Sequence, residues 1–266
     1  GPDERLVPAA TDNPKGFWEH GPIVELNDLL LARLGGRSMA PPRFVPGWAT
    51  VTELDDLREI ARLILVPFAD AELWAWKDPR ACLTLPFWQT VLPSMRYLIC
   101  VRSPFDVARS LKDRNRVSTG RSLYLWLLYT QSVLSHTEGH SRRIVLYDRL
   151  VDEPLEELRA LAGFLDVPAR AGEPGVQDEL AVFVDRQLRH HRSRAQVESS
   201  NPALDDLSTN ALHLAERAYA GLSRKGEMNY GQAMRLLQEA LEAVPPSWHP
   251  WPSLTARKRE GERWPT

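Results

Sequence analysis

The sequence predicts an α/β fold built on a parallel sheet, and three observations predict it. Runs of strand-forming residues stand at Leu73–Trp76, Tyr97–Val101 and Arg143–Tyr147. Segments with apolar residues at helical spacing separate them, which is the alternation of crossover connections between parallel strands. Turn-forming residues close the first two runs, at Lys77-Asp-Pro-Arg80 and Arg102-Ser-Pro104. Beyond Pro168 only helices and loops are expected.

Taken in order, residues 1–22 are rich in Pro, Gly, Asn and Asp and read as loop, ending in Asn13-Pro-Lys-Gly-Phe-Trp-Glu-His20. Ile23, Leu26, Leu30 and Leu34 recur at helical spacing and Gly35-Gly36 closes them. Residues 41–48 form a loop, and Leu54, Leu57, Ala61 and Ile64 mark the inner face of a helix over Thr52–Ile64. The strand at Leu73–Trp76 precedes a helix over Thr84–Leu92, with Pro86 in its first turn. After the strand at Tyr97–Val101, Ser103 reads as N-cap, Pro104 as first helical residue and Asp106 as the partner in a Ser-x-x-Asp capping box. A buried helix over Ser122–Leu134, the strand Arg143–Tyr147 and a helix over Pro154–Leu165 follow. Helices are then expected at Leu180–Arg194, Leu207–Ser223 and Tyr230–Ala243.

Composition excludes several classes. A net charge of −2, with 26% charged residues, gives no reason to expect nucleic acid. Cys82 and Cys100 cannot make a disulfide framework, and Cys100 reads as a small buried hydrophobe in a core strand. No Cys and His cluster has metal-ligand spacing, so no metal is expected. No apolar run approaches the roughly 20 residues that span a bilayer, and no signal peptide opens the sequence.

The residues with chemical potential gather at strand ends, the edge where open α/β sheets bind ligands. Arg102 follows a strand, a helix start behind it offers backbone N–H groups to an anion, and Ser110 and Arg114 share one helix face. Two guanidiniums and a hydroxyl make a phosphate clamp. Lys77 follows another strand end, aimed by Asp78-Pro79. Glu19 is a carboxylate beside Phe17 and Trp18, and its neighbour His20 is a second candidate base or a substrate contact. An isolated basic turn accounts for Lys77 singly, a surface Arg with a solvated helix behind it for Arg102, and an acidic residue ahead of a helix for Glu19; two strand ends presenting cations to one crevice favour a site.

Arg102-Ser-Pro-Phe-Asp-Val-Ala-Arg-Ser110 resembles the 3′-phosphate-binding motif of sulfotransferases, which use 3′-phosphoadenosine 5′-phosphosulfate. The chain is similar to bacterial sulfotransferase-like sequences over approximately Asn13–Pro168, and Lys77-Asp78-Pro79 and Glu19 resemble the tyrosylprotein branch. The resemblance implies a P-loop NTPase-like parallel sheet flanked by helices over residues 1–168. Residues 169–266 would be a helical C-terminal extension packed on the same domain. It implies that Arg102, Ser110 and Arg114 hold the 3′-phosphate, that Tyr147 of Tyr147-Asp148-x-Leu150 lies near the nucleotide, and that Lys77 contacts the sulfuryl group. Glu19 or His20 would take the acceptor's proton. The implied acceptor is a hydroxyl on a carbohydrate, lipid, peptide or small molecule, and the implied compartment is cytoplasmic.

One element of the resemblance is missing. No strand followed by Arg-Ser-Gly-Thr occurs, and Gly36-Arg-Ser38 and Gly120-Arg-Ser122 match it only in part. The expectation is that the N-terminal strand, its 5′-phosphosulfate loop and its helix lie ahead of Gly1; a naturally loopless, noncatalytic relative is the alternative. Arg224-Lys225-Gly226 matches a nucleotide loop of cytosolic sulfotransferases only by coincidence, and His190-His191 reads as a solvated basic face.

Overall fold

The computed structural model describes residues 5–9, 16–184, 206–223 and 230–244. Over these the protein is α/β, mostly helical, with two parallel strands. Three helices come first: α1 (Gly21–Arg33), α2 (Asp55–Leu65) and α3 (Ala81–Val91). Then follow β1 (Tyr97–Val101), α4 (Pro104–Asn115), α5 (Thr119–His136), β2 (Arg142–Leu146), α6 (Tyr147–Asp152) and α7 (Pro154–Phe164). The last described helices are α8 (Val176–Phe183), α9 (Asp206–Ser223) and α10 (Tyr230–Ala243).

Two apolar cores hold this order together. Ile23, Leu26 and Leu30 of α1 meet Leu57 and Ala61 of α2, Phe87 and Trp88 of α3, and Trp48. The second core lies on the sheet, where Tyr97, Ile99, Val101 and Ile144 pack with Leu127 of α5, Leu214 and Ala218 of α9, and Leu236 of α10. Each buried Leu, Ile, Val or Phe among them contributes about 1.5–3 kcal/mol by leaving water. Met95, just before β1, touches both cores and joins them.

Register pairs Tyr97 with Arg142 and Val101 with Leu146, so Arg102 and Tyr147 emerge side by side at the C-terminal ends of the strands. Burial alternates along β1: Tyr97, Ile99 and Val101 are buried, whereas Leu98 is 40% exposed and Cys100 is exposed. Parallel strands usually lie between two covering layers. Here the described residues bury one face of β1 and leave the other open.

Several expectations are corrected. Leu73–Trp76 makes no ladder; its tryptophans join a row of rings, with Phe68–Trp74 centroids 4.7 Å apart, Trp74–Trp76 5.6 Å and Trp76–Trp88 5.3 Å. Ring stacking buries these residues without backbone pairing. The α3 helix begins at Ala81, so Pro86 lies inside it, where it cannot donate to the carbonyl four residues earlier. The second strand ends at Leu146, and Tyr147 opens α6. Cys100 is not in the core, because its side chain falls on the open face of β1. The expected helix at Leu180–Arg194 is described only as α8, and His190-His191 and Arg224-Lys225-Gly226 lie outside the described residues.

Candidate functional site

At the end of β1 the chain turns into α4 with Pro104 at its first position, as its sequence demands. The expected capping box is absent: the Ser103 side chain makes no cap hydrogen bond. Asp106 turns instead to Arg102, whose Nε donates to its Oδ2 at 3.4 Å. The Arg102 guanidinium carbon lies 4.4 Å from the centre of the Tyr147 ring, a cation–π contact made possible by the strand register. Trp126 of α5 donates Nε1–H to the Arg102 carbonyl at 2.9 Å, which pins the strand end to the core. Arg102 thus contacts Asp106 and Tyr147 rather than Ser110 or Arg114. Ser110 is half-buried on α4, and Arg114 is exposed one turn further on, its Nε donating to Asn115 Oδ1 at 3.2 Å.

The second group forms where the N-terminal segment meets the turn before α3. Glu19 is buried, and its Oε1 accepts from Lys77 Nζ at 2.7 Å. Its other oxygen, Oε2, lies 3.9 Å from Arg80 Nη1. Trp18 does not shelter this carboxylate: the residue is 55% exposed and sits at φ 56°, a left-handed conformation unusual for a bulky side chain. His20 is buried against Phe68, ring centroids 5.3 Å apart. Neither of its ring nitrogens has a hydrogen-bond partner. Burial, aided by the charge of Arg5, holds its pKa below 6.5 and keeps the imidazole neutral.

Sequence reasoning missed what supports this group. Arg80 Nε donates to Asp28 Oδ1 at 2.6 Å, and Arg80 Nη1 and backbone N–H both reach Asp78 Oδ1, at 3.0 and 2.9 Å. The Asp78 side chain is fully buried and accepts from Asn27 Nδ2 at 2.7 Å. Asn27, also fully buried, accepts on Oδ1 from Thr84 Oγ1 and Trp88 Nε1, both at 2.8 Å. Desolvation works against the Arg80 cation, yet bonding to Asp28 and Asp78 outweighs it and raises its pKa. The available signal was a polar residue, Asn27, on the buried stripe of α1.

Desolvation by surrounding atoms raises the pKa of the Cys100 thiol, and the charge of Lys77 acts on that thiol in the opposite sense. The arrangement offers a buried carboxylate paired with an ammonium and, at the strand end, a guanidinium over a tyrosine ring.

Gly36-Arg-Ser38 lies in a tight turn, its Ser38 and Met39 carbonyls bound by Tyr129 at 2.8 Å and Arg121 at 2.7 Å. Gly120-Arg-Ser122 begins α5, where Ser118 accepts from Arg121 N. Neither follows a strand. Among the described residues, no group of three His, Cys, Asp or Glu is placed to hold a metal, and no helix is long and apolar enough to cross a membrane. Compared with known proteins, the chain matches no family model, no curated protein and no solved structure.

Proposed function

We propose that this chain is a sulfotransferase domain on a P-loop NTPase-like scaffold, moving a sulfuryl group from 3′-phosphoadenosine 5′-phosphosulfate to an acceptor hydroxyl. The observations that carry the reading are the pairing of Glu19 with Lys77 and, at the C-terminal end of the sheet, the seating of Arg102 over Tyr147. Arg102 is the anchor for the 3′-phosphate, with Ser110 and Arg114 further along α4 as its helpers. Tyr147 flanks the nucleotide, and Lys77 faces the sulfuryl group.

The acceptor oxygen attacks sulfur, the bond from sulfur to the 5′-phosphate oxygen breaks, and the acceptor's proton passes to Glu19. Lys77 stabilises the negative charge that builds on the departing phosphate. His20, neutral and without polar partners, is the second candidate for the proton. The acceptor belongs to the hydroxyl-bearing carbohydrates, lipids, peptides or small molecules.

A noncatalytic nucleotide- or partner-binding module is the second reading, favoured by the absence of an Arg-Ser-Gly-Thr loop from these 266 residues. Calorimetric titration of adenosine 3′,5′-bisphosphate tests the first. Binding that Arg102→Ala weakens about 10-fold or more supports the 3′-phosphate site. Binding indifferent to Arg102 removes it, and binding without sulfuryl transfer to any acceptor class favours the module.

A further inference from the structure

Glu19 is addressed by two cations of opposite character. Lys77 holds Oε1 through one contact, and its side chain is 55% exposed. Arg80 faces Oε2 with a side chain 21% exposed, tied to Asp28 and Asp78. Asp78 in turn is fixed by Asn27, which Thr84 and Trp88 hold. Moving Lys77 breaks one bond at the surface; moving the Arg80 side chain breaks two, one of them to a fully buried carboxylate.

We infer that Arg80 is a positioning residue for Glu19 and that Lys77 is its exchangeable partner: an arriving anion draws Lys77 off Oε1 while Arg80 keeps the carboxylate in place. The inference rests on the roles proposed above for Lys77 and Glu19. Its chemical content is a gate. With Lys77 on Oε1, the ammonium occupies the oxygen lone pair that would take a proton. Once the donor's phosphate competes for the ammonium, that oxygen opens toward the acceptor without the carboxylate swinging away. The donor therefore binds before the acceptor is activated.

The test uses the whole chain with adenosine 3′,5′-bisphosphate as probe, by crystallography and calorimetry. In the complex, Lys77 Nζ is expected on the nucleotide phosphate, with Glu19 Oε2 at its present separation from Arg80. Lys77→Met is expected to weaken nucleotide binding about 10-fold, and Arg80→Gln by less than about 2-fold, because Arg80 is not an anion ligand. In protein labelled with ¹⁵N-lysine, the Lys77 Nζ signal is assigned by its loss in Lys77→Arg. The nucleotide is expected to shift this signal; the shift shrinks in Arg80→Gln, where Glu19 follows Lys77, and returns in Arg80→Lys.

A complex with Lys77 still on Glu19 overturns the gate. A roughly 10-fold loss of affinity in Arg80→Gln makes Arg80 an anion ligand and overturns its positioning role. Absence of nucleotide binding in the unsubstituted chain overturns the functional reading and this inference with it. If Arg80→Gln fails to fold, Asp28→Asn, which loosens Arg80 at its exposed anchor, carries the comparison; a nucleotide-induced Lys77 shift that stays at full size there rejects the role.

Discussion

Replacing Asn27 with alanine is the most discriminating perturbation of the framework. Its amide joins three partners that lie 51, 57 and 61 residues away in sequence, namely Asp78, Thr84 and Trp88. Truncation removes a bond to a buried carboxylate, which costs about 1.5–3 kcal/mol, and orphans the Trp88 N–H, which costs about 1–3 kcal/mol. Thr84 retains its bond to the Arg80 carbonyl at 3.2 Å and adds little. The total is about 2.5–6 kcal/mol, and water entering the vacated space brings it toward the lower end, about 3 kcal/mol. For a chain of this size that lowers Tm by roughly 6–12 °C, at about 2–4 °C per kcal/mol. Thermal unfolding followed by near-ultraviolet circular dichroism reads the change where tryptophans pack. A loss below about 1 kcal/mol would refute the claim that Asn27 is the keystone of the Lys77–Arg80 turn.

Other consequences are open to simpler assays. Burial holds the pKa values of His20 and His136 below 6.5. The unfolded chain thus binds protons that the folded chain refuses, and stability is lost as pH falls through 6.5 toward the folded values. Denaturation midpoints measured across that window should fall, and His20→Phe should flatten the slope; a flat wild-type profile rejects the reasoning. Native protein should alkylate at Cys100 alone, because burial pushes the Cys82 thiol up to about 12 while Cys100 lies on the open face of β1. Mass spectrometry showing Cys82 labelled first would contradict this. Tyr147→Phe should leave nucleotide affinity nearly unchanged and Tyr147→Ala should weaken it about 2- to 5-fold, through loss of the ring under Arg102. Equal effects of the two variants, read by calorimetry, would show that the hydroxyl rather than the ring matters.

Local chemistry made some of this architecture legible. The run Tyr97–Val101 with Pro104 behind it specifies strand, turn and helix within a few residues, and those bounds appear in the structure. The aromatic segment Leu73–Trp76 carries the same strand propensity, but Phe68 and Trp88 offered it ring partners instead of a ladder. Ser103 looked like a cap until Arg102, one residue earlier, claimed Asp106 for its own charge. The pairing of Lys77 with Glu19 had no local signature, and a polar Asn27 on the buried stripe of α1 signalled only that some partner existed, since the partners are more than 50 residues distant. The candidate site is thus half visible: Arg102 announces itself at a strand end, whereas the network that holds Lys77 and Arg80 is written only in the tertiary fold.

The partnership of β1 with β2 has a kinetic side. Both strands are short, and α4 and α5 intervene between them, so every pairing in the sheet closes a long loop. Such contacts form late, after the helices have nucleated locally. Arg102 comes to rest on Tyr147 only when that loop has closed. The contact therefore belongs to the last stage of folding, and a chain arrested before it would carry its locally formed helices without Arg102 seated on Tyr147.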